Sequence, residues 1–131
     1  YVLVFNSRGE LFVQQRTLSK DIYPGCHDIA AGGVVVAGES YEESAERELA
    51  EELGIRDVAL RPCFDHYFED ERNRVWGRIF RCQHDGPFVL QPEEVAGGRF
   101  MPLDQILAVS EQEPFTPDGL QILQRLRDSG D

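Results

Sequence analysis

The stretch GVVVAGESYEESAERELAEELGI, residues 33–55, decides how the rest of the chain is read. Ser40 and Glu43 form an S-x-x-E capping box, so a helix is expected to begin at about Tyr41. Gly54 stands where a helix-ending glycine belongs. Between these ends Ala45, Leu49 and Leu53 recur every four residues and make an apolar stripe for packing. Glu48, Glu51 and Glu52 fall at i, i+3 and i+4, which puts their carboxylates on adjoining faces. Like charges at that spacing oppose the helix by a few tenths of a kcal/mol per pair. Glu42, Glu43 and Glu46 add to the repulsion, and Arg47 is the only base within the helix. A divalent cation relieves such crowding, and an all-carboxylate donor set suits the hard ions Mg²⁺ or Mn²⁺. The competing reading is a solvated acidic face, which has no need of Gly33 and Gly54 at their offsets.

Composition narrows the classes that this segment can serve. With 131 residues, 41% of them hydrophobic and 28% charged, the chain is expected to be one domain, 1–131, with a real core. A net charge of -11 argues against nucleic-acid polymer or an anionic membrane as partner. An anionic substrate then needs local cations, from metal or from placed Arg and Lys. Cys26, Cys63 and Cys82 are odd in number and lack metal-ligand spacing, which suggests buried or free thiols in a reducing, cytoplasmic setting. No apolar run reaches transmembrane length and no signal peptide is visible. The chain opens at Tyr1 inside a strand-like run, so the natural protein is expected to extend further at its N-terminus.

Around the acidic helix, YVLVF (1–5) and LFVQQ (11–15) read as strands joined by the turn Asn6-Ser7-Arg8-Gly9. Residues 16–28 read as a loop, and 27–36 as short strands about Gly32-Gly33. Further strands are expected near 58–69, 74–82 and 99–102, with a short helix over 103–109. Thr116-Pro117-Asp118 marks a cap with proline at the first helical position, opening a last helix to about Arg127. Strands mixed with two or three helices favour an α/β or α+β sandwich.

The full spacing of Gly33, Glu39, Arg47-Glu48-Leu49, Glu51-Glu52 and Gly54-Ile55 resembles the signature of the Nudix hydrolases, with every fixed position filled. The resemblance implies a mixed β-sheet sandwiched between helices. It also implies Mg²⁺- or Mn²⁺-dependent hydrolysis of a diphosphate bond in a nucleoside diphosphate derivative or a similar organic diphosphate. Carried over by position, Glu48, Glu51, Glu52 and the backbone carbonyl of Gly32 become metal ligands. Arg47 becomes the group that orients Glu48, Glu39 a supporting carboxylate, and Gly33 the point of close backbone approach. The general base stays open between a glutamate of the helix and a later carboxylate. Glu94 is favoured for the later role, over Glu93 and the Glu69-Asp70-Glu71 group. Relatives in this family often pair, which leaves a homodimer open, although no interface stripe stands out.

QQRTLSKDIYPGCHDIAAGG (14–33) is also similar to the isopentenyl-diphosphate isomerase branch of the same fold. There the Arg and Lys of an R-x-x-S-K run hold the diphosphate, positions taken here by Arg16 and Lys20, with Tyr23 and Pro24 along the pocket wall. The isomerase's catalytic cysteine falls on Ala31, its metal-binding histidine on Gly33, and its acidic pair near Arg72 and Arg74. Without those groups allylic proton transfer has no acid or base, so hydrolysis is the expected chemistry. A non-catalytic sensor of nucleotides or diphosphates remains the alternative function. Trp76 is expected to fill core rather than stack on a base, and His27, His66 and His84 show no ligand spacing.

Overall fold

The computed structural model describes residues 1–20, 23–32, 37–69, 71 and 74–129. β1 (Val2–Phe5) and β2 (Leu11–Arg16) form an antiparallel hairpin. Its turn is held by the Asn6 side-chain oxygen, which accepts from the N–H groups of Arg8 and Glu10 at 3.0 and 2.9 Å. On one side of β1 lies β5 (Arg74–Gln83), running parallel to it, and beyond that β4 (Arg61–Glu69), antiparallel to β5. β6 (Val95–Met101) runs antiparallel along the opposite edge of β2, while β3 (His27–Asp28) pairs with β2 at Gln14 and Gln15. The sheet is therefore mixed, and β2 is the strand through which β1, β3 and β6 are held in register.

Strand alternation splits the core between the two sheet faces. Val2, Val4, Phe12 and Phe80 pack with Ala45, Leu49 and Leu53 of α1 (Tyr41–Leu53). Leu3, Phe5, Leu11, Val13 and Ile79 pack on the other face with Ile106 of α2 (Leu103–Ser110) and with Ile122, Leu123 and Leu126 of α3 (Pro117–Ser129). The mixed sheet between helices is as the family resemblance implied.

α1 has the boundaries that its end signals specify. Ser40 Oγ accepts the Glu43 N–H at 3.0 Å while Glu43 Oε1 accepts the Ser40 N–H at 3.0 Å, a complete capping box. Gly54 closes the helix at φ 69°, in the left-handed region, and its N–H turns back to the Ala50 carbonyl. A Cβ added there would lie 2.9 Å from Val89 Cβ, so both conformation and space require glycine.

Three boundaries and one burial differ from the sequence expectation. β6 starts at Val95 instead of 99, because Val95, Gly97 and Gly98 pair with β2, with a register shift at Ala96, although the stretch has the composition of a loop. β4 starts at Arg61 instead of 58, the chain first turning through Asp57 at φ 60°. β5 continues to Gln83, where it still pairs with Phe5. Trp76 is 67% exposed and does not fill core. The expected strand residues 33–36, together with Asp70, Arg72 and Asn73, lie outside the described residues.

The capping box predicts the effect of Ser40→Ala. Loss of that acceptor should lower the unfolding free energy by about 1 kcal/mol, read as a shift in urea midpoint at unchanged slope. An unchanged midpoint would show that packing alone sets the start of α1.

Candidate active site

Tyr41, Ser44, Glu48 and Glu52 fall in line along one side of α1, a consequence of the three- and four-residue spacing. Glu52 is at the inner end of this line and is buried, 8% exposed. Its Oε2 accepts the Gly32 N–H at 2.9 Å, which ties the helix to the segment leaving β3. Burial pushes the Glu52 carboxyl well above the usual range. The Gly32 bond opposes that rise, and the negative charges of Glu48 and Asp28 add to it. No Arg, Lys or His is paired with Glu52 among the described residues.

The remaining carboxylates gather around one guanidinium. Arg47 Nε and Nη2 donate to the two oxygens of Glu39 at 2.8 and 3.1 Å, a forked pair that joins the pre-helix loop to α1. Arg47 Nη1 donates to Glu48 at 2.9 Å and to Glu51 at 3.3 Å. Arg47 thus reaches Glu48, and Glu39 sits on the same guanidinium. Hydrogen bonding to Glu39 and Glu48 raises the Arg47 pKa further, keeping it charged.

The donor set fits a hard divalent cation in its chemistry. It consists of carboxylate oxygens on adjoining faces of one helix, one of them buried with no Arg, Lys or His side chain paired to it among the described residues. Among the described residues no three His, Cys, Asp or Glu side chains are already gathered as an ion cage; Glu48 and Glu51 are instead shared with Arg47.

The proposed phosphate-binding cations have acidic partners of their own. Lys20 forms an ion pair with Glu94, so two residues singled out for different roles meet directly. Thr17 N–H and Oγ1 also bind the carbonyls of Glu94 and Glu93 at 3.2 and 3.0 Å, strapping the loop after β2 to the turn before β6. That turn is tied to the foot of α1 by Gln91 N–H to the Glu52 carbonyl at 2.9 Å. Arg16 Nη1 lies 3.9 Å from Asp28. Glu69 pairs with Arg74 on the exposed hairpin, and His66 is held by Gln121 and Arg125 against α3.

Sequence reading missed Asp28 and Gln14. Asp28 has no motif around it, and only the β2–β3 pairing sets it beside Arg16. Burial raises its pKa to about 7, helped by the Asp118 charge and resisted by the Ala30 N–H and Arg16. Gln14 is buried in β2 and donates to the Ala30 carbonyl at 3.1 Å. A buried Gln inside a strand whose neighbours are apolar was the signal available for it.

Residues 1–126 match the NUDIX domain family. The chain belongs to the Nudix family. An uncharacterised Nudix hydrolase of Pseudomonas aeruginosa is 48% identical over 129 residues, which are 98% of this chain and 76% of that protein. The chain spans between 66% and 76% of the length of such curated relatives. These relatives bear the name of hydrolases, not of isomerases, in keeping with Ala31 where an isomerase has its cysteine. Among solved structures, DR0079 of Deinococcus radiodurans has a TM-score of 0.83 at 26% identity, over 95% of this chain and 78% of its own. The NUDIX domain of Shewanella oneidensis NrtR, solved with ADP ribose, shares the fold at a TM-score of 0.77 and 20% identity, covering 99% and 85%. No helix of the described residues is long and apolar enough to cross a membrane.

Asp28 makes stability depend on pH with a definite sign. Its carboxyl ionises near 3.8 when unfolded and near 7 when folded, so between those values the folded state holds the extra proton. Stability is fully supported below pH 3.8 and declines as pH rises to about 7. Asp28→Asn keeps an acceptor for Ala30 and cannot ionise. Its stability relative to the parent chain should therefore improve as pH rises across that window, measured by urea unfolding at several pH values. A difference that does not vary with pH would contradict the assignment.

Proposed function

We propose that this Nudix domain hydrolyses a phosphoanhydride bond in a nucleoside diphosphate derivative or a similar organic diphosphate, with Mg²⁺ or Mn²⁺ as cofactor. The observation that carries this reading is the buried Glu52 carboxylate, held by the Gly32 N–H beside Glu48 and paired with no Arg, Lys or His side chain among the described residues. Glu48, Glu51 and Glu52, with the Gly32 carbonyl, would hold the cation. When bound, it would neutralise diphosphate charge and lower the pKa of a water.

The chain's own residues supply the rest. Arg47 keeps the Glu48 carboxylate aimed by a charge-assisted bond, and Glu39 braces Arg47 from the other side. Arg16 and Lys20 are the groups for the substrate's phosphates, which exchange with Asp28 and Glu94 for them. Water attacks one phosphorus, its proton passes to a carboxylate, and the bond to the bridging oxygen breaks, releasing two phosphate-bearing products. Glu48, Glu52 and Glu94 are the candidate proton acceptors. A small molecule is the partner implied. The chain may be assayed as it stands against a panel of nucleoside diphosphate derivatives with Mg²⁺, by release of phosphate-bearing products.

Glu52→Gln keeps size and an acceptor but removes the charge, and should lower kcat by at least about 100-fold. Arg47→Ala, which leaves Glu48 unaimed, should lower kcat or cation affinity by roughly 10–100-fold. Because the acceptor must be ionised, the rate should rise with pH through neutrality. Undiminished turnover in Glu52→Gln, or a maximum on the acid side of neutrality, would sink the mechanism.

A further inference from the structure

Exposed aromatic side chains gather at one place on the α1 face of the sheet. Trp76 is 67% exposed, Tyr67 39% and Tyr41 40%. Trp76 and Tyr67 stand directly opposite each other on β5 and β4, ring centroids 5.0 Å apart and planes inclined by 49°. The next pair inward on the same face is Arg78 and Asp65, bonded at 2.9 Å, with the Arg78 guanidinium 5.0 Å from the centre of the Tyr41 ring. Two residues further along β5, Phe80 enters the core beneath α1. Strand alternation thus carries one stripe of β5 from buried, at Phe80, to open, at Trp76.

This shelf is continuous with the carboxylate line of α1. Tyr41, which rests against Arg78, is the outer member of the line that runs through Ser44 to Glu48 and Glu52. Glu48 is seven residues from Tyr41, roughly 10 Å along the helix axis. Trp76 is two residues from Arg78, roughly 7 Å along the strand. An open cavity of about 510 Å³, lined among others by Tyr41, Arg78 and Phe80, lies between the helix start and the sheet.

We propose that Trp76 and Tyr67 form the shelf on which the flat heterocyclic base of a nucleoside diphosphate substrate stacks, its phosphates lying along α1 toward Glu48 and Glu52. The proposal rests on the diphosphate hydrolase reading above and narrows it to base-bearing substrates. The surroundings favour a base over other occupants. Asp65 and Glu69 beside the shelf are already paired with Arg78 and Arg74, so the aromatic faces of Trp76 and Tyr67 are the part of it open to a ligand. The shelf is open on one side, which suits a stacked ring whose polar edge stays in water and leaves an aliphatic chain uncovered. β4 is an edge strand, but the exposed Arg61, Asp65 and Glu69 set charges along it that resist pairing with another copy.

Trp76 is the only tryptophan of the chain, so its fluorescence reports directly on the shelf. Titration with ADP and CDP, corrected for nucleotide absorbance, should quench it saturably, whereas inorganic pyrophosphate should not. Tyr67→Ala should weaken that quenching titration. Trp76→Ala should raise KM for a nucleoside diphosphate derivative roughly 10–100-fold with kcat largely retained, and Trp76→Phe should recover most of the loss. Equal responses to pyrophosphate and nucleotide, an unchanged KM in Trp76→Ala, or conversion of a dimer to monomer by that substitution with nucleotide affinity intact would each overturn the proposal. If the parent chain hydrolyses no diphosphate at all, the catalytic reading fails while the fluorescence titration still decides the shelf.

Discussion

Glu52 is a carboxylate placed where a carboxylate is costly to put, buried at the foot of a helix that already carries Glu48 and Glu51 beside it. Taking such a group out of water is tolerated only when fixed donors replace the lost solvation, and here the backbone N–H of Gly32 supplies one. Arg47 compensates the neighbouring charges but turns away from Glu52 to Glu39, Glu48 and Glu51. The cluster is thus left electrostatically short of cation. The caps of α1, its packing on the sheet and the Gly32 bond hold the helix in place against that repulsion.

The supports are of two kinds. The helix itself is bounded by its capping box and by Gly54, and it is anchored by Ala45, Leu49 and Leu53 on the apolar face of the sheet. The second kind comes from β2, which is flanked by β1 and β3 on one edge and by β6 on the other. Because β2 ends at Arg16, the loop that follows it is delivered to the turn before β6, where Thr17 and Lys20 meet Glu93 and Glu94. That turn in turn hangs from the Glu52 carbonyl through Gln91. A chain of backbone bonds therefore connects the Thr17–Lys20 loop to the acidic helix, although the two are far apart in sequence.

The legibility of these parts follows the range of the interactions that make them. α1 was readable to the residue because its cap, stripe and terminating glycine all act within a few positions of one another. The contact between Arg47 and Glu48 is of the same local sort. β6 was read too short because Gly97 and Gly98 have the composition of a loop and become strand only by pairing with β2. Trp76 is expected in the core because a large aromatic in a strand usually fills it, and nothing local to the strand tells whether that face is covered. Asp28 carried no local signal, and its proximity to Arg16 and Asp118 exists only once β3 is paired and α3 is packed.

The sequence by itself determined the acidic helix, the family to which it belongs and the glutamates available for chemistry, since these depend on spacing along a single helix. Only the tertiary structure decided which of them is buried, that Glu39 and Glu48 share one guanidinium, and that Lys20 meets Glu94. It also decided that Trp76 and Tyr67 stand open at the end of the carboxylate line. The physical reason is that burial and long-range pairing are set by which faces meet across the sheet, and residues distant in the chain acquire a common environment only there.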